Sequence, residues 1–276
     1  MLFIKSPIVS VEWLNQNLEA SNLIILDASI KKVTSDDIQQ TSKQIPSARY
    51  FDIKHRFSNT AAPFPNTVSS QKQFINESRY LGINNASAIV VYDDKGIYSS
   101  ARAWYLFKAF GFNNIAVLDG GLPDWEKARF KTEDKTEREF SLGDFIGIYN
   151  PDYFKFFNDI ISISNNPDCL ILDARSSDRF NGLVDEPRKG LRSGHIPNSL
   201  SLPFGSLLNG NCLKPKEELK SIFQELNAVN KKLVFSCGSG ITACILALAA
   251  NVLDNDNISV YDGSWTEYGT LTNENN

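Results

Sequence analysis

Apolar residues in this chain gather in short runs, and longer helical stretches separate them. Leu23-Ile24-Ile25-Leu26, Ile89-Val90-Val91-Tyr92, Leu170-Ile171-Leu172 and Leu233-Val234-Phe235 have the length and β-branched content of buried strands. Ala243-Cys244-Ile245-Leu246-Ala247-Leu248-Ala249-Ala250 is a run of strong helix formers and predicts a buried helix. Ser10 is placed to cap a helix over Val11 to Leu18, with Val11, Leu14 and Leu18 on one face. Asn150 with Pro151 is placed to cap a second helix carrying Phe154, Phe157 and Ile161. Strands alternating with helices in this way predict an α/β fold with a largely parallel sheet.

The pattern occurs twice. Leu23-Ile24-Ile25-Leu26-Asp27-Ala28 returns as Cys169-Leu170-Ile171-Leu172-Asp173-Ala174, and Ile45-Pro46 returns as Ile196-Pro197. Val117-Leu118-Asp119-Gly120-Gly121 returns as Val260-Tyr261-Asp262-Gly263-Ser264. The pairs Asp27/Asp173, Pro46/Pro197 and Asp119/Asp262 are 146, 151 and 143 residues apart, a drift that loop insertions accommodate. One fold is used twice, with domains expected over residues 1–130 and 150–276. The polar, charged stretch from Lys131 to Glu139 opens a linker expected over 131–149.

Composition narrows the class. In 276 residues, 42% are apolar and 22% charged, enough for two soluble cores. A net charge of −4 gives no reason to expect a nucleic-acid or membrane partner. The four cysteines lack zinc-ligand spacing and are too few for a disulfide scaffold. The N-terminus lacks a signal-peptide core, so a cytoplasmic location is expected, where thiols stay reduced.

The chemistry concentrates in Cys237-Gly238-Ser239-Gly240-Ile241-Thr242, between a strand and a helix. Two glycines allow a tight loop whose N–H groups turn toward the sulfur, and the helix N-terminus favours an anion there. A free thiol of pKa about 8.5 is only a few per cent thiolate at neutral pH, so such a cradle makes a nucleophile. Cys244, among apolar residues, is expected to be a core cysteine. At the equivalent loop of the first half, Asp93-Asp94-Lys95 stands where the second has Cys237-Gly238-Ser239. Chemistry is therefore expected in the second half alone.

These tandem halves, with Asp119-Gly120-Gly121-Leu122, Gly194-His195-Ile196-Pro197 and the Cys237 loop, resemble the two-domain rhodanese-type sulfurtransferases. The loop itself is similar to that of the 3-mercaptopyruvate sulfurtransferases. The resemblance implies a sulfur donor such as 3-mercaptopyruvate, a Cys237 persulfide, release of pyruvate, and a thiol, thioredoxin-like or cyanide acceptor. It implies no cofactor and no metal. It makes Cys237, Ser239 and Thr242 catalytic, and it assigns binding to Arg179, Arg188 and the loop residues Gly238, Gly240 and Ile241. An arginine pair suits a carboxylate in a way lysine does not; the competing reading pairs both arginines with Asp178, Asp185 or Glu186 at the surface. For Thr242, helix capping competes with catalysis.

Two positions depart from that resemblance. Lys54 stands where an acidic residue is usual, and Asn66 where many members have histidine. The histidine relay to the loop serine proposed for such enzymes therefore has no counterpart here, and His195 is expected to fix a turn. A thiosulfate donor is a competing reading, as is a non-catalytic persulfide carrier. A cysteine phosphatase needs an arginine six residues past the cysteine, where this chain has Ala243.

Overall fold

A computed structural model describes residues 1–31, 41–228 and 231–272 of the chain. It divides into two compact units. The first comprises residues 1–59, 68–150 and 210–213, and the second comprises 60–67, 151–209 and 214–276. Each half thus lends a short segment to the other unit.

The first unit runs β1 (Ile8–Val9), α1 (Val11–Gln16), β2 (Leu23–Asp27), β3 (Lys43–Gln44), β4 (Arg49–Tyr50), α2 (Gln71–Tyr80), β5 (Ala88–Tyr92), α3 (Ser100–Ala109), β6 (Ile115–Leu118), α4 (Gly121–Lys127) and β7 (Glu133–Asp134). Its parallel five-stranded sheet has the order β1-β6-β5-β2-β4. Ser10 caps α1 as expected, its Oγ accepting from the Trp13 N–H at 3.2 Å. One face of the sheet packs Ile25, Val90 and Leu118 against Leu14 and Trp125. Phe51, Phe57, Phe74, Phe107, Phe110 and Phe145 form a second, aromatic cluster in the same unit. Phe145 belongs to the 131–149 stretch and is fully buried, and the Gly143 and Phe145 N–H groups bond the carbonyls of Arg79 and Ile83. The antiparallel pair of β3 with β7 ties down the start of that stretch.

The second unit runs β8 (Phe154–Lys155), α5 (Phe157–Ile163), β9 (Cys169–Asp173), α6 (Ser177–Phe180), β10 (Ser199–Ser201), β11 (Leu208–Asn209), α7 (Lys216–Glu225), β13 (Lys232–Ser236), α8 (Ala243–Val252), β14 (Ile258–Tyr261) and α9 (Ser264–Leu271); β12 (Cys212–Leu213) lies in the segment lent to the first. Its parallel sheet, β10-β9-β13-β14-β8, repeats the first strand for strand. After Asn150 the chain makes only a 3-10 turn over Pro151–Tyr153, and the expected α-helix begins later, at Phe157. Phe154 and Lys155 are instead drawn into the sheet edge beside Val260 and Tyr261, and Asp159 accepts from the Phe156 N–H at 2.9 Å. Residues 243–250 of α8 are all buried, as a helix apolar on every side requires.

Register makes the two halves comparable residue by residue. Asp27 pairs with Tyr92 in one sheet and Asp173 with Ser236 in the other, so Asp93 and Cys237 leave equivalent strand ends. The next strand follows in step, which makes Gly96 the equivalent of Gly240 and Gly121 the equivalent of Ser264. The backbone agrees: Leu122 N–H bonds Asp93 O at 3.0 Å, and Trp265 N–H bonds Cys237 O at 3.0 Å.

Candidate functional site

In the second unit, the loop after β13 is held from behind by the start of α9. The Cys237 carbonyl takes the Trp265 N–H, and the Gly238 carbonyl takes both the N–H and the hydroxyl of Thr266. Because a peptide is planar and trans, fixing the Gly238 carbonyl toward α9 points the Ser239 N–H the other way. Gly240 has φ +77°, a conformation glycine adopts without the Cβ penalty. Its N–H, expected to face the sulfur, is bonded to Ser264 Oγ at 3.1 Å. Cys237 is buried, 2% exposed, so interactions at its sulfur act where water screens weakly.

The first unit shows what such a loop does with an anion. Asp93 is fully buried, and its carboxylate accepts the N–H groups of Lys95 (2.9 Å), Tyr98 (2.8 Å), Ser99 (2.9 Å) and Ser100 (2.9 Å). Burial pushes this carboxyl above its ordinary pKa, and the bonds from the loop oppose that push. The corresponding positions in the second unit are Ser239, Thr242, Ala243 and Cys244.

Two arginines approach the second loop. An ideal Cβ at Gly238 would lie 3.2 Å from Arg179 Nη2 and 3.7 Å from Arg188 Nη1, so a side chain there would crowd the Arg179 head and touch that of Arg188. Arg188 Nη2 donates to Ser239 Oγ at 3.1 Å. Arg179 is gripped by Glu186 through Nε at 3.1 Å and Nη2 at 2.6 Å. Glu186 has no exposed side-chain surface and also pairs with buried Arg175 at 2.8 Å, which in turn pairs with Asp173 at 2.7 Å. Burial works against the Arg175 charge, yet Asp173 and Glu186 hold its pKa above the ordinary value. The Glu186 pairing and the approach to the loop thus coexist in Arg179: the buried carboxylate fixes the fork while the guanidinium stays beside Gly238.

Asn66 belongs to the second unit and reaches the same serine. Its Nδ2 donates to Ser239 Oγ at 3.0 Å and to Ser239 O at 3.1 Å. Two donors, Asn66 and Arg188, therefore occupy the hydroxyl's two lone pairs and leave its proton to act as a donor. Thr242 stands at the start of α8 without a side-chain capping bond. Ile241 is buried at 5% exposure, and its carbonyl accepts the Cys244 N–H. His195 Nδ1 lies 2.9 Å from Phe180 O and its ring stacks on Phe180, consistent with fixing a turn.

The other cysteines differ in setting. Cys244 is fully buried, with Sγ 3.3 Å from Gly240 O. In the first unit, burial and a 2.9 Å hydrogen bond to Asp124 push the Cys212 thiol up to about 12, which keeps it protonated. Among the described residues, no three His, Cys, Asp or Glu side chains gather to hold a metal ion, and no helix is long and apolar enough to cross a membrane.

Residues 10–128 and 158–270 each match the Rhodanese-like domain. The chain belongs to the rhodanese-like family. It is 37% identical to thiosulfate/3-mercaptopyruvate sulfurtransferase 1, mitochondrial, of Arabidopsis thaliana, over 96% of this chain and 76% of the relative. It is 34% identical to the 3-mercaptopyruvate sulfurtransferase of Escherichia coli K12, over 95% of this chain and 94% of that one. The crystal structure of the 3-mercaptopyruvate sulfotransferase SseA from Escherichia coli matches at a TM-score of 0.84 and 31% identity, covering 95% of this chain and 99% of that one. The expected two tandem rhodanese-like domains are present, and the chain stands among the two-domain sulfurtransferases.

Four residues of this rhodanese-like site escaped the sequence reading as contributors: Asn66, Glu186, Ser264 and Thr266. In the sequence Asn66 stands out only as a departure, and Glu186 only as a surface partner for arginine. For Ser264 a signal existed in the repeat, where a serine replaces the glycine of Asp119-Gly120-Gly121. Thr266 offered none, because a threonine one turn into a helix is ordinary.

Proposed function

We propose that this chain moves sulfane sulfur from 3-mercaptopyruvate through a Cys237 persulfide to a thiol or cyanide acceptor. The Cys237 thiolate attacks the donor's sulfur, the donor's carbon–sulfur bond breaks, and the electron pair left on carbon takes the sulfhydryl proton to give pyruvate. An acceptor thiolate, such as one of a thioredoxin-like dithiol, then attacks the outer sulfur and returns Cys237 as thiolate. A reducing compartment such as the cytoplasm suits this cycle, because it keeps the carrier thiol free.

The observation that carries this reading is the Asp93 cradle: a loop of this shape already holds an anion at the position Cys237 occupies in the second half. Backbone donors that stabilise a thiolate serve a persulfide anion equally, so one cradle supports both half-reactions. The loop itself contributes no cation, and Arg179 and Arg188 beside Gly238 supply the charge for the oxo-acid carboxylate. Ser239, with both lone pairs occupied, offers its proton to the oxygen or sulfur that gains charge. Thr242 is half-buried at the same helix start and offers a second hydroxyl.

Thiosulfate is the competing donor, being a small dianion that gains most from basic loop residues this chain lacks. Pyruvate release and thiocyanate formation, measured with each donor at a fixed cyanide concentration, decide between them. We expect the higher kcat/KM with 3-mercaptopyruvate, and a loss of about 10- to 100-fold for that donor in Arg179→Ala and Arg188→Ala, the size of one charge-assisted bond. A clear preference for thiosulfate in the unaltered protein overturns the assignment.

A further inference from the structure

Ser264 sits where glycine is the easier choice. At its first-half equivalent, Gly121, φ is +56° and an added Cβ would collide with the carbonyl oxygens of Asp93 and Gly96. Ser264 keeps that backbone, with φ +49°, and is fully buried. Left-handed backbone disfavours a side chain, so retaining one at this point requires a return from the side chain itself.

The hydroxyl makes a specific set of contacts. Its oxygen accepts the Cys237 N–H at 3.1 Å and the Gly240 N–H at 3.1 Å. Its proton is donated to the Tyr261 carbonyl at 2.8 Å, and the Cys237 sulfur lies 3.9 Å away, within hydrogen-bond range for sulfur. Two N–H donors occupy the lone pairs and polarise the O–H, which strengthens it as a donor. One proton thus has two acceptors: a neutral thiol leaves it on the Tyr261 carbonyl, and a charged sulfur competes for it.

We propose that Ser264 is a positioning residue for the Cys237 loop, clamping its two ends through the Cys237 and Gly240 N–H groups and turning its own O–H to the sulfur when that sulfur carries charge. The first half needs no such group, because its Asp93 carboxylate is satisfied by four loop N–H bonds, and it has glycine there. The proposal takes Cys237 as the reactive thiol, but it concerns how readily that thiol ionises and not which donor it uses.

The test is therefore substrate-free. The rate of Cys237 alkylation by iodoacetamide, read by peptide mass spectrometry from pH 5 to 10, is compared in unaltered protein, Ser264→Gly and Ser264→Ala, with circular dichroism on each. Glycine suits the local φ, so Ser264→Gly is expected to remain folded. We expect the midpoint of its alkylation profile to move up by about one pH unit, which slows alkylation at pH 7 about tenfold. Ser264→Ala moves the profile the same way. A profile superimposable on that of the unaltered protein in either folded variant overturns the proposal. Loss of fold in both also overturns it, since the hydroxyl is then a structural group alone. Sulfur transfer from 3-mercaptopyruvate is a separate readout: its absence in the unaltered protein, with the alkylation shift intact, refutes the donor assignment and leaves Ser264 standing.

Discussion

The Asp93 loop and the Cys237 loop share a backbone and differ in the kind of anion they hold. Both follow the central strand of their sheet, both place a glycine of positive φ three residues past the strand end residue (Gly96 after Asp93, Gly240 after Cys237), and both bond that residue's carbonyl to an equivalent N–H at the start of a later helix, Leu122 of α4 or Trp265 of α9. In the first half the group is fixed: a carboxyl group met by four N–H donors and sealed from water. In the second half it is conditional, because a sulfur can gain charge, attack, carry a second sulfur and lose it again. The lesson is that the cradle alone does not make the chemistry; what makes one copy reactive is the side chain in it and the side chains around it. Arg179, Arg188, Asn66 and Ser264 converge on the second loop, while the first closes on Asp93.

The largest test of that contrast lies in the first half. Asp93→Ala leaves four N–H groups, two of them fully buried, without their acceptor, and we expect it to destabilise the first unit by about 3 kcal/mol. Hydrogen exchange under mild urea checks this, with protection lost in β5 and retained in β13. Asp93→Asn keeps one acceptor oxygen and recovers part of the loss. Unchanged protection in β5 would mean that the four bonds are incidental and the cradle comparison empty.

A smaller effect sharpens the second half. Asn66→Ala removes one neutral donor from Ser239 and frees a lone pair, and about 1 kcal/mol, or roughly fivefold in kcat/KM, is the expected cost. Asn66 does not titrate, so the loss should be the same across the pH profile, whereas Asn66→His should add a limb near the imidazole range of about 6.5. A pH-independent Asn66→His profile contradicts direct coupling of position 66 to the serine.

Much of this is legible in the sequence. Runs such as Leu233-Val234-Phe235 and the caps at Ser10 report local physics, and the repeat reported the fold twice over. The start of α5 shows the limit of local reading: the signal at Pro151 opens a single 3-10 turn over Pro151–Tyr153, but pairing of Phe154 and Lys155 with β14 ends it, and the α-helix starts only at Phe157. The lending of residues 60–67 and 210–213 between the units was not legible either, since nothing within eight or four residues records which core they join. The contact of Asn66 with Ser239 is hidden in the sequence for that reason. The sequence shows the missing histidine, and the structure adds that the amide in its place donates a hydrogen bond to Ser239.

The central claim is that the second loop, and not the first half or another thiol, carries the transferred sulfur. Intact-protein and peptide mass spectrometry after brief exposure to 3-mercaptopyruvate, without acceptor, tests it most directly. The account predicts one added sulfur atom, located on Cys237, absent in Cys237→Ser, discharged by cyanide, with none on Cys244 or on Cys212, whose thiol stays protonated. No added sulfur, or an adduct that persists in Cys237→Ser, would contradict it.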